Sequence, residues 1–328
     1  MMVMFSCVLL AGCKLTGQCT GDQCLTLEVE VDGIPSDSLS LKTAAVDKIS
    51  PESITAPEVA QVYVKCFQES TRIHLPQDGV AGSILSLTRD SKTNTWKGYL
   101  SLSNPSGAVV FLAYAVDAAG KHLYSGIHET ADIESVDGIP ISITVQGKSN
   151  GSTAAYTLGG WGPGGGWIFY DAGNYSTYGW RYMEAAPNTW NSLGGTDPWY
   201  AWSNVTSTLI GITDQEDKDL IGEGQSNTIA IMSQAGHTAS AAKNCDSLVF
   251  NVMSDWFLPS LEELSYMRSN LYLHSPSLGA FSGNSYWAST EYSDTAAWVI
   301  KFSTGASRGQ AKDSNSSSIG RVRPVRAF

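Results

Sequence analysis

The residues able to carry chemistry are few and scattered. Cys245 and His237 are a nucleophile and a base by type. If the residues between them are helical, eight positions separate them by roughly 12 Å of rise, too far for an activating hydrogen bond. Asp214, Glu216, Asp217 and Asp219 alternate oxygen ligands as calcium loops do, although a solvated acidic loop is the simpler reading. Glu262 and Glu263 are neighbours at a helix start, whereas glycoside cleavage needs two carboxylates facing across a cleft. Gly160-Trp-Gly162-Pro-Gly164-Gly165 fits dinucleotide-loop spacing, but that fingerprint needs a strand before it and a helix after it. Here a Trp167-Ile-Phe-Tyr170 strand follows, so the loop reads as a tight turn. No cysteine–histidine spacing matches zinc. These residues predict no catalytic centre, no metal and no cofactor, so the chain does not read as an enzyme.

At 328 residues the chain can bury two cores. A net charge of −11 argues against nucleic acid as a partner. From Val299 onward the balance reverses to +5, carried by Lys301, Arg308, Lys312, Arg321, Arg323 and Arg326 against Asp313 alone. That run predicts either a basic patch for an anionic ligand or arginines paired internally.

The first thirteen residues, MMVMFSCVLLAGC, form a short apolar run ending in small residues and a cysteine, too short to span a bilayer. Leu10-Ala11-Gly12-Cys13 resembles the bacterial lipobox. That resemblance implies a signal peptide over 1–12, acylation of Cys13 and a tether over 13–24. Each buried acyl methylene contributes roughly 0.8 kcal/mol, so two or three chains anchor stably at the outer membrane or cell surface. No Lys or Arg precedes the apolar run, which departs from the usual leader, and Lys14 follows the cysteine where an inner-membrane retention signal would place Asp. Export permits disulfides, and Cys19 and Cys24 are close enough to pair; Cys66 and Cys245 read as buried thiols.

Two halves must position whatever the chain binds with. Nine of the ten tryptophans lie between Trp161 and Trp298. The polar stretch 147–155 reads as the linker between the halves. In the first half, residues 25–31, 61–67, 83–88, 95–102, 109–116 and 141–145 are strand candidates, with a turn at Ala118-Ala-Gly120. That pattern predicts an all-β, immunoglobulin-like sandwich over 25–146, acting as a spacer. The second half, 156–328, mixes strands with helices expected at 226–235 (capped by Ser226, with Ile229 and Met232 on one face), 239–249 and 261–271. The last opens with a Ser260-x-x-Glu263 capping box and points Leu264, Met267 and Leu271 inward. Trp298, Ile300 and Phe302 alternate with Val299, Lys301 and Ser303, which predicts an apolar inner and a polar outer strand face.

Several stretches of the second half resemble the C-terminal domain of Legionella collagen-like proteins. They are GPGGGWIFYDAGNYSTYGWRYMEAAP from Gly162, SDWFLPSLEEL from Ser254, YWASTE from Tyr286, AWVIKF from Ala297 and the terminal VRPVRAF. The resemblance implies an α+β C-type-lectin-like fold of the type shared with formylglycine-generating enzymes. Fold alone transfers no activity, and a lone cysteine does not reproduce that enzyme's site. The Glu-Pro-Asn and Gln-Pro-Asp tripeptides of calcium-dependent lectins are missing.

The last forty residues also resemble the variable proteins of diversity-generating retroelements. Trp287, Glu291, Trp298, Phe302, Gly305, Lys312 and the VRPVRAF end match the fixed frame. Between them stand Tyr292, Ser293, Asp294, Thr295, Val299, Lys301, Ser303, Ala306, Arg308 and Gln310, followed by Asp313, Ser314 and Asn315. A diversified copy and an ordinary exposed surface both fit this pattern. The resemblance implies that these thirteen residues bind an extracellular protein or glycan, with Tyr292 as aromatic anchor. The rival expectations are an envelope lipoprotein without a ligand, a formylglycine-generating-type enzyme and a calcium-dependent lectin.

Overall fold

The computed structural model describes residues 24–32, 59–69, 75, 84–90 and, with short gaps, 92–147 and 156–328. Cys13, Cys19, the acidic run 214–219, most of the proposed linker and Asn315 lie outside the described residues. The architecture is mostly β, in four small sheets.

The strands of the first half are β1 (Cys24–Asp32), β2 (Gln61–Gln68), β3 (Leu85–Ser86), β4 (Thr88–Asp90), β5 (Thr95–Ser103), β6 (Val109–Val116), β7 (His122–Thr130), β8 (Ile141–Thr144) and β9 (Gln146–Gly147). They form two sheets, β4-β5-β1-β8 and β3-β2-β6-β7-β9, in which β1 and β8 run parallel. Alternation builds the layer between them. Val29 and Val31 of β1, Leu100 and Leu102 of β5, and Ile141 and Ile143 of β8 meet Val62, Val64 and Cys66 of β2 and Phe111 and Ala113 of β6. The first half is therefore a β-sandwich. Strand β7 has a polar sequence without clean alternation, yet it pairs along the whole of β6.

Strand β6, VVFLAYAV, is buried at every position. A continuous apolar run is what a strand covered on both faces requires. Phe111 and Ala113 face the sandwich core, while Val110, Leu112 and Tyr114 turn to the second half. There Phe67, Val110 and Leu112 pack with Trp161, and Tyr114 packs with Trp190, Met253 and Trp256. Lys65 Nζ donates to Asn251 Oδ1 at 2.5 Å within this contact. The first half is thus joined to the second through a buried apolar face, which the reading of it as a mere spacer did not anticipate.

The second half has two three-stranded sheets. One holds β10 (Trp167–Asp171), β11 (Tyr182–Ala185) and β15 (Val325–Ala327); the other is β12 (Ser285–Glu291), β13 (Ala296–Lys301) and β14 (Ser307–Ala311), in that order. Three short helices, α1 (Gly224–Met232), α2 (Ala241–Asp246) and α3 (Leu261–Met267), complete it, and α3 continues as a π-helical turn over Arg268–Tyr272. The capping box forms as expected: Ser260 Oγ accepts from Glu263 N, and Glu263 Oε2 accepts from Ser260 N at 2.8 Å. Leu264, Met267 and Leu271 are fully buried. Helix α1 departs from expectation. Its N-cap is Glu223, because Ser226 already lies inside the helix and donates back to the Glu223 carbonyl. Its buried face carries Asn227, Thr228 and Ile231, while Ile229 is exposed. Among the described residues no helix is long and apolar enough to cross a membrane.

Candidate ligand-binding surface

The β12–β13–β14 sheet positions the residues singled out by the sequence. Its central strand, β13, is covered on both sides. Ala297 and Val299 pack into the core around Trp202 and Trp287, and Ile300 packs into the core beneath α3. Val299 is fully buried, so it is not a contact residue, and the expected polar outer face does not exist. The reason is position: a central strand between two packed layers has no solvent side. Trp298, expected to be fully inside, is half-buried.

The exposed positions lie instead at the sheet's two ends and along its edge strand. At one end the turn 292–295 joins β12 to β13, and residues 313 and 314 follow β14 beside it. Tyr292, Asp294, Thr295 and Asp313 are exposed there; Ser293, Gln310 and Ser314 are half-buried, with Gln310 Nε2 donating to Ser314 Oγ at 2.9 Å. At the other end Lys301, Ser303 and Ala306 are exposed around the turn into β14. β13 alone separates the ends by about 17 Å. Arg308 is exposed on β14 opposite Val299. The predicted set therefore divides into two clusters and an edge arginine.

Tyr292 has a built seat. Its ring stands edge-on to Trp298, with centroids 4.7 Å apart at 87°. It lies across Gly309, where an added Cβ would come within 2.4 Å of the ring. About half of Tyr292 stays open to solvent (49%). Gly309 was not singled out in the sequence, although a glycine inside a strand signals close approach of another group.

Beneath this end lies a fixed polar frame. Glu291 and Lys312, both fully buried, pair at 2.5 Å. Lys312 Nζ also donates to the Thr208 carbonyl and stands 5.0 Å from the Trp202 ring centroid, while Glu291 Oε2 accepts from Ile210 N. The backbone closes the frame: Lys312 N donates to the Thr295 carbonyl and Trp202 N to the Lys312 carbonyl. The other terminal arginines are spent similarly. Arg323 grips Asp197 with two bonds of 2.6 and 2.8 Å; Arg326 meets Asp255 and Glu184; Arg321 stacks over Trp199. The C-terminal run is therefore no basic patch. Of its six cations, Lys301 and Arg308 are exposed.

The glycine loop also serves the frame. Gly164 N and Gly166 N donate to the buried Glu184 carboxylate, and a Cβ on Gly162, Gly164 or Gly166 would collide with it. Burial pushes Glu184 up despite Arg326 and these two donors. Cys245 is fully buried, and burial pushes its thiol well up; the His237 ring bonds Ser240. Cys66 is likewise buried. Glu263, also fully buried, accepts from Gly222 N and Gly224 N besides Ser260 N, and burial pushes it up to about 7. Among the described residues no group of His, Cys, Asp and Glu is arranged to hold a metal.

No family model matches this chain, and no curated protein does. Among solved structures, a fimbrial protein from Bacteroides ovatus ATCC 8483 is similar over 93% of this chain and 71% of its own. The identity is 13% and the TM-score 0.35.

Proposed function

We propose that this chain is an exported lipoprotein, anchored at Cys13, whose second half is a C-type-lectin-like domain that binds an extracellular protein or glycan without catalysis. The single observation behind this reading is the half-exposed Tyr292, seated on Trp298 and Gly309 above the buried Glu291–Lys312 frame. A rigid aromatic flanked by small polar side chains is the usual make-up of a recognition hot spot. The contact patch is Tyr292, Ser293, Asp294, Thr295, Gln310, Asp313 and Ser314. Lys301, Ser303 and Ala306 belong to the opposite end.

The test is capture of the full chain on arrays of extracellular-matrix proteins and glycans. Tyr292→Ala should weaken capture of the ligand found by roughly 10–100-fold. Gly309→Ala, which drives the ring off its seat, should do the same with an unchanged melting temperature. Lys301→Ala should bind as the parent does. If no array component is retained, or if Tyr292→Ala binds normally, the reading fails in favour of an envelope lipoprotein without a dedicated ligand.

A further inference from the structure

A groove stands apart from Tyr292. On α3 and its π-helical extension, Leu261, Ser265 and Arg268 fall at i, i+4 and i+7 and share one face. That face and the lower part of the β13–β14 hairpin line a groove of about 410 Å³. This is the low end of the roughly 300–1,000 Å³ that small-molecule sites occupy, enough for one ring and its substituents.

Arg268 is the unusual member. Its Nε donates to the Phe302 carbonyl at 2.8 Å, and its guanidinium lies flat against Gly305, where an added Cβ would come within 2.9 Å of Cζ. Among the described residues no carboxylate pairs with it. Arg181, Arg323 and Arg326 each meet one. A half-buried guanidinium that meets no carboxylate among the described residues can take an anion from outside. Among the described residues neither Nη group has a hydrogen-bond partner, and a two-pronged grip on a carboxylate is what a guanidinium makes best. The π-helical turn beginning at Arg268 is of a kind frequent at functional sites.

The rest of the groove reads hydroxyls. Ser265 and Ser307 line it, and Glu262, whose Oε2 accepts from Ile221 N, keeps Oε1 as a further acceptor. Six residues of helix place Glu262 roughly 9 Å from Arg268. Leu261 and Ile300 supply an apolar floor for a C–H face. We propose that this groove binds a sugar ring bearing a carboxylate, of the uronic or sialic class. The acid group meets Arg268, the hydroxyls meet Ser265, Ser307 and Glu262, and the ring lies on Ile300. A peptide C-terminus would satisfy Arg268 but would leave the hydroxyl-reading groups unmatched.

The test titrates the full chain with methyl glucuronide, the methyl glycoside of N-acetylneuraminate, neutral methyl glucoside and an acetylated dialanine acid. At least one acid sugar should bind at least about tenfold tighter than the glucoside and the dipeptide. Arg268→Gln should erase that preference, and Arg268→Lys should restore part of it. Ser307→Trp, from an exposed edge strand, should block the groove whatever happens to the arginine variants. Tyr292→Ala should leave this binding intact, so failure at either site is distinguishable from failure at the other. The proposal is overturned if neither acid sugar binds saturably, if the glucoside or the dipeptide binds as tightly, or if Ser307→Trp binds as the parent does.

Discussion

Lys312→Met removes one half of a buried ion pair and leaves Glu291 charged, fully buried and facing Ile210 N. At 2.5 Å and an effective dielectric near 20, the lost attraction is on the order of 6–7 kcal/mol. Desolvation of both ions in the folded parent offsets most of that, so the pair's net worth is small. Breaking it is a different matter, because the orphaned carboxylate keeps its desolvation cost: such changes cost about 3–5 kcal/mol. Replacing both partners, as Glu291→Leu with Lys312→Met, removes the stranded charge. The remaining cost is about 1–2 kcal/mol for the Ile210 N–H left unbonded. Urea unfolding of the full chain, followed by tryptophan emission, reads both, since Trp202 lies under Lys312. The expected pattern is a large drop in midpoint for the single variant, a partial recovery in the double, and an unchanged slope. A single variant costing under about 1 kcal/mol, or a double at least as damaged as the single, would refute the view that this pair is a closed, water-free frame.

Two further outcomes are expected. Burial holds Glu263 at about 7, above its ordinary 4.5, so the folded state keeps a proton that the unfolded state releases between those values. Stability from this group is therefore full below pH 4.5 and lost as pH rises towards 7, by something on the order of 3 kcal/mol. Glu263→Gln should flatten that part of the stability–pH curve, and an unchanged slope between pH 4.5 and 7 would contradict the assignment. Leu112 is buried between the halves, so Leu112→Asp strands a charge there. Calorimetry should show one transition for the parent and two for the variant; a variant that still melts in a single transition at the parent temperature would show that the halves are not coupled through this face.

The parts of the fold legible in the sequence were those governed by local rules. β1, β2 and β5 follow from period-two runs, β6 from a continuous apolar run, and α3 from its capping box. β7 was not legible along its length, because pairing along β6 stabilises it more than its own polar sequence does. The site was half legible. Tyr292, Asp294 and Thr295 are exposed as the pattern suggests, and the frame of Glu291, Lys312, Arg323 and Arg326 is buried and paired. Val299 was misread because alternation with Trp298 and Ile300 assumes a strand with one wet face, and nothing local announces the second layer around Trp202. Arg268 and the groove beside it depend on α3 meeting a hairpin more than thirty residues later, which no spacing rule reaches.

A surface that tolerates change must be decoupled from the core it stands on, and the placement of polar contacts achieves this here. The turn at 292–295 closes on its own backbone: Tyr292 N and Ser293 N both donate to the Ala296 carbonyl, and Thr295 takes Lys312 N. The side chains of Asp294, Thr295 and Asp313 therefore carry little of the structure, and substitutions there should fall within about ±0.5 kcal/mol. Val299 is the opposite case, since any larger or polar replacement must fit against Trp287 and Trp202. Side chains along the turn and the strand edge can thus be exchanged while the frame stays fixed. The frame resists not because it is apolar but because each of Glu291, Asp197 and Glu184 is buried with its cation already in hand. Buried pairs of this kind add little net stability, but they penalise every alternative arrangement that separates them. That penalty keeps the frame in place when side chains of the turn above it are substituted.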